Sequence, residues 1–132
     1  MEQMRLAVAT DDGENFMGRH FGDAEFFEIF EFSESGYEIV GRVTNDLDEE
    51  EGHADPKKAK GIAVILREHG VQVAAAKVFG PNIKRIKKHF VCVLTGHEKI
   101  SDGLELLMRD YPEIIAEFEK GGERGFLDWR NR

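Results

Sequence analysis

His20-Phe21-Gly22 sets an imidazole, which binds iron or zinc, beside a large aromatic ring and a residue that lets backbone approach a bulky ligand. His53 and His97 stand in two further loops, each next to a glycine. A set of convergent imidazoles without thiolates suits exchangeable binding of a metal centre better than permanent burial. Taken singly, each histidine is also explained as a surface or hydrogen-bonded residue, and Gly22 as the turn into the next strand. Phe79-Gly80-Pro81-Asn82 reads as the opening of a helix, whose free backbone N–H groups would seat an anionic cluster or a carboxylate, or simply as ordinary helix initiation. Asp11, Asp12 and Glu14 gather three carboxylates just after the first expected strand. Asp11-Asp12-Gly13 is also a turn signal.

The elements that must position these residues follow from periodicity. Strands are expected over residues 5–10, 25–32, 37–44, 71–76 and 90–94, the second and third joined by the short polar connection Ser33-Glu34-Ser35-Gly36 as an antiparallel hairpin. A loop of about a dozen residues follows the first strand and carries His20, a length at which loops are often functional. Asp55-Pro56 signals a helix start, and Ala59, Ile62, Ala63 and Leu66 make its apolar stripe. Gly70 closes it, and His69 suits its last turn. A second helix should run from Gly80-Pro81 to about Lys88-His89. A third should span residues 102–108, with Asp102 and Glu105 at capping-box spacing. A weaker helix around Ile114, Ile115 and Phe118 precedes a charged tail, where Trp129 docks on the domain or serves a partner.

This order predicts an α/β protein with helices on both faces of a mixed five-stranded sheet, in which only the second strand runs opposite to the rest. Ligands bind beyond the carboxyl ends of parallel strands. The loops holding His20, His53, Gly80 and His97 all fall at that edge.

Composition narrows the partners. A chain of 132 residues buries roughly two thirds of its unfolded surface in one core. The net charge of −8, from 26 acidic against 18 basic residues, argues against nucleic acid as a partner. Lys84-Arg85-Ile86-Lys87-Lys88 is a counter-signal that a solvated helix face explains. The acidic run at residues 46–53 reads as a solvated surface loop. The apolar run at residues 6–9 is too short for a signal peptide or a membrane span, so a cytoplasmic location with no membrane partner is expected. Cys92, alone in an apolar run, cannot form an internal disulfide or hold an iron–sulfur cluster by itself, and reads as core.

Met17-Gly18-Arg19-His20-Phe21-Gly22-Asp23-Ala24 with the following Phe27 resembles the signature of the nitrogenase iron-molybdenum cofactor-binding family. Gly52-His53, Glu68-His69-Gly70-Val71 and Phe79-Gly80-Pro81-Asn82 look like its later landmarks, in order. The resemblance covers residues 5–108, so 1–108 is expected as the cofactor-binding-like domain and 109–132 as a helical extension and charged tail. It implies a ribonuclease H-like, three-layer fold and carriage of an iron-molybdenum or related iron–sulfur cofactor for metallocluster assembly, without enzymatic turnover. His20 is the implied metal ligand, with Phe21, Gly22, Gly80 and His53 or His97 around the cofactor and a cluster donor or acceptor protein as partner. Lys77 stands where the family often has glycine. A protein-interaction or regulatory domain without metal is the alternative; behind it stands a magnesium-dependent nuclease or phosphotransferase suggested by the implied fold, in which Asp11, Asp12 and Glu14 would hold magnesium ions about 4 Å apart.

Overall fold

The computed structural model describes residues 3–45, 56–81 and 83–132, and only the backbone of residues 56–60. The acidic run at 46–53, His53, the proposed cap Asp55, the side chain of Ala59 and Asn82 lie outside the described residues. Strands β1 (Met4–Thr10), β2 (Phe26–Phe32), β3 (Tyr37–Thr44), β4 (Val73–Ala76), β5 (Val91–Thr95) and β6 (Phe126–Trp129) form one sheet in the order β3-β2-β1-β4-β5-β6. β2 is antiparallel to β1 and β3, and β1, β4, β5 and β6 are mutually parallel. The expected directions hold. The expected count does not, because among the described residues the sheet has six strands rather than five.

Alternation sorts the strand side chains into two cores. Ala7, Ala9, Phe27, Ile29, Ala74, Ala76, Cys92 and Leu94 face helix α1 (Pro56–Glu68), through Ile62, Ala63 and Leu66, and the short helix α2 (Ile83–Ile86). Leu6, Val8, Phe30, Phe32, Val73, Val91 and Val93 face helices α3 (Ile100–Arg109) and α4 (Tyr111–Glu119), which contribute Leu104, Leu107, Tyr111 and Ile114. The mixed α/β architecture and its two helical layers are thus as the patterning requires. No helix among the described residues is long and apolar enough to cross a membrane.

Three boundaries differ from expectation. α2 spans only four residues, since Lys88 N and His89 N already bond back to Arg85 O and Ile86 O in turn geometry. α3 starts at Ile100, not Asp102, because Ile100 is drawn into the core at 3% exposure; its N-cap is Lys99, with no side-chain cap bond. The segment 109–132 supplies β6, in which Leu127 pairs with Val93 and Trp129 with Thr95. β6 steps outward from β5 in the same direction as β5 from β4, yet α3 and α4 lie on the face opposite α2. The last crossover therefore has the opposite hand to the one before it, so one of the two is the rare left-handed form. The cause is burial, because the second apolar face is covered by α3 and α4, which follow β5.

α1 ends as its sequence predicts. Gly70 takes the left-handed conformation (φ 75°), Gly70 N and Val71 N bond Arg67 O and Leu66 O, and His69 Nδ1 lies 2.9 Å from Ile65 O.

Candidate functional site

The loop after β1 crosses the carboxyl end of the sheet. Phe16 packs in the α3 core, while Met17 and Phe21 pack in the α1 core. Gly13 makes the first turn with φ 80°. The carboxylate of Asp12 accepts N–H bonds from Glu14 and Asn15, both at 2.8 Å, and from Asn15 Nδ2 at 2.9 Å. Asp11 accepts from Arg19 Nη2 and Glu25 N, each at 2.9 Å, and Arg19 Nη2 also bonds Asp23 O at 3.1 Å. Asn45 Nδ2 clips the far side of the loop to Gly22 O and Ala24 O, both at 2.8 Å.

His20 caps a single 3-10 turn, Phe21–Asp23, and is half-buried. Phe21 is fully buried, its ring 5.1 Å from Phe79 and 4.9 Å from Phe27. That anchor fixes the backbone from which His20 projects. The imidazole lies on the backbone of Gly80, which has φ 73°; a Cβ at Gly80 would stand 2.7 Å from Nδ1 and 2.8 Å from Cγ. His20, Phe21, Phe79 and Gly80 thus form one unit at the carboxyl ends of β1 and β4. Beside Gly80 opens a depression of about 230 Å³ lined by Lys77, Ile83, Leu94, Phe126 and Arg130. Its cations already have partners, Lys77 in Glu98 and Arg130 in Asp128.

The structure does not bring every expected residue to this unit. His97 lines a separate depression on the α3 side with Asp102, Glu105 and Arg109, and its N–H bonds Thr95 Oγ1 at 3.1 Å. The first amides of α2 are not a free anion seat, because Ile83 N and Lys84 N bond Gly80 O and Pro81 O. Gly80 contributes the bare backbone under His20 instead. Among the described residues no group of three or more His, Cys, Asp or Glu could hold a metal ion. Sequence reasoning missed Asn45 and the Asp11–Arg19 clip, whose polar side chains follow no spacing rule. It also left Phe79 without a role, though an aromatic beside a turn glycine was the available signal.

Electrostatics tie the carboxylates to the loop. Bonds from the Asn15 side chain and backbone hold the Asp12 carboxyl at about 2. Burial raises Asp11, but the bonds from Arg19 and Glu25 outweigh it and leave it below the usual carboxylate range. The folded value of Asp12 lies below the ordinary 3.8, so its contribution to stability is present above 3.8 and is lost as pH falls through about 2. Asp12→Asn should therefore lower the melting temperature at neutral pH, with the gap from the native chain closing as pH approaches 2. A gap that stays constant with pH would contradict this.

Burial pushes the Cys92 thiol up to about 12, against the opposing pull of Arg124 and Lys87. Such a thiol is inert. Iodoacetamide at neutral pH should label Cys92 only after unfolding, and rapid labelling of the folded chain would refute its placement in the core.

The chain belongs to the family described as dinitrogenase iron-molybdenum cofactor, whose model matches residues 2–110. Among solved structures it is similar to a crystal structure described as a "putative dinitrogenase" from Methanocaldococcus jannaschii, with a TM-score of 0.57 and 16% identity over 82% of this chain and 90% of that one. An NMR structure so described from Methanococcus jannaschii gives a TM-score of 0.56 and 16% identity over 84% and 92%. At that identity the likeness concerns the fold alone. No curated protein matches the chain.

Proposed function

We propose that this chain is a non-catalytic, cytoplasmic carrier that holds a preformed iron-molybdenum or related iron–sulfur cluster at the His20 loop and passes it to a partner protein. The observation that carries the reading is the seat of His20 on Gly80, above the buried Phe21–Phe79 pair. An imidazole seated on the Gly80 backbone is a nitrogen ligand whose position the loop fixes, which suits a cluster that arrives assembled and must leave again. Cys92 is sealed in the core and takes no part, which leaves the imidazole of His20 as the donor in this reading. Once delivered, the cluster supplies the redox chemistry of its final enzyme. Family membership supports the iron-molybdenum class of cargo. The order of the first five strands, β3-β2-β1-β4-β5, supports the ribonuclease H-like assignment.

The hydrogen bonds that occupy Asp11 and Asp12 favour this reading over a magnesium-dependent nuclease, which needs those carboxylates free for metal. Anaerobic addition of iron–sulfur and iron-molybdenum clusters tests it, followed by visible absorption and metal analysis of the re-isolated protein. The native chain should retain a stoichiometric chromophore that His20→Ala loses. Equal retention by both, or by neither, would overturn the assignment.

A further inference from the structure

The end of the sheet opposite His20 carries a depression of about 350 Å³, lined by Arg67, Gln72, Lys88, His89, Phe118 and Arg124, with no acidic residue in its wall. It is built where the chain enters β4, β5 and β6, so the parallel strands bring Gln72, Lys88 and Arg124 to one edge. Arg124 is fixed there. Its Nε bonds Phe118 O and its Nη1 bonds Lys88 O, both at 3.1 Å, and its guanidinium lies 4.7 Å above the Phe118 ring. Arg67 Nη1 lies 3.4 Å from His89 Nδ1.

None of Arg67, Lys88 and Arg124 forms an ion pair with a carboxylate among the described residues. Glu117, which feels the charge of Arg124, is committed to Lys120 Nζ at 3.0 Å and Gly125 N at 2.9 Å. The imidazole of His89 is held below its ordinary value, by burial first and then by Arg67, Arg124 and Lys88. Arg67, Lys88 and Arg124 thus gather in one depression whose wall holds no carboxylate, although the chain carries a net charge of −8. The Arg67 guanidinium, the Lys88 ammonium and the Arg124 N–H groups not taken by Phe118 O and Lys88 O are donors of the kind that hold phosphate oxygens.

We infer that this depression is an anion site for a phosphate-type oxyanion, free or carried on a small molecule. It stands independently of His20 and lies at the other end of the strands. A bound oxyanion offsets the three cations, so His89 titrates at higher pH in its presence.

The test follows the imidazole signals of the 15N-histidine-labelled chain by NMR while inorganic phosphate replaces chloride at constant ionic strength. The expected result is a saturable shift at His89 with a raised pKa. Affinity should fall at least about tenfold in Arg67→Gln/Lys88→Gln, the loss expected when charge-assisted bonds to an anion are removed. Both side chains are exposed, and unchanged His20 and His97 signals verify folding of that variant. Adenosine monophosphate in place of phosphate separates the sources, with tighter binding assigning a phosphorylated small molecule and equal binding a free oxyanion. A His89 signal that moves no further in phosphate than in chloride, or equal affinity in the double variant, overturns the site.

Discussion

Trp129→Ala should lower the unfolding free energy by about 3–5 kcal/mol, a large part of the roughly 5–15 kcal/mol that holds a domain of this size. The indole is 2% exposed in the α3–α4 core, at the end of β6, with the Arg132 guanidinium 4.6 Å above its ring. Truncation removes the apolar area and leaves a cavity beneath two helices, at the only strand that covers the outer edge of β5 among the described residues. Urea denaturation followed by circular dichroism measures the loss. A change below about 1 kcal/mol would mean that residues 126–129 rest on the domain without belonging to its core.

Gly80→Ala should weaken cluster binding about 10–100-fold, the scale on which groups that orient a metal ligand act, while leaving His20 in the sequence. The new Cβ would meet the imidazole at 2.7 Å, and the ring rather than the backbone must give way, since it is the freer of the two. The substitution also places an alanine at φ 73°, a strain of roughly 1–2 kcal/mol that the fold tolerates. Anaerobic titration of native chain and variant decides the matter. Unchanged affinity with a displaced imidazole would show that the direction of His20 is irrelevant to binding.

Much of this fold was legible because burial and backbone rules act locally. Gly70 announced the end of α1, the connection at residues 33–36 announced the hairpin, and the unbroken apolar run around Cys92 announced a strand covered on both faces. β6 was not legible. Phe126-Leu127-Asp128-Trp129 is four residues long, half of them exposed on the open face, and it becomes a strand only because β5 offers an unpaired edge. The start of α3 was misplaced for a similar reason, since the burial of Ile100 outweighed the capping potential of Asp102.

At the site, the sequence marked His20, Phe21 and Gly80 separately, and the loop lengths placed them at one edge. It did not show that the glycine lies beneath the imidazole, a contact between residues sixty positions apart that no spacing rule encodes. Nor did it divide the histidines. His97 follows β5 on the α3 side of the sheet, so being at one edge did not make the two imidazoles neighbours.

The most direct test of the carrier reading is nitrogen hyperfine spectroscopy of the cluster-loaded, 15N-histidine-labelled chain in a paramagnetic state. A single imidazole nitrogen coupled to the cluster, and absent when His20→Ala is loaded under the same conditions, is the predicted result. A loaded cluster with no histidine coupling, or a coupling that survives His20→Ala, would contradict it.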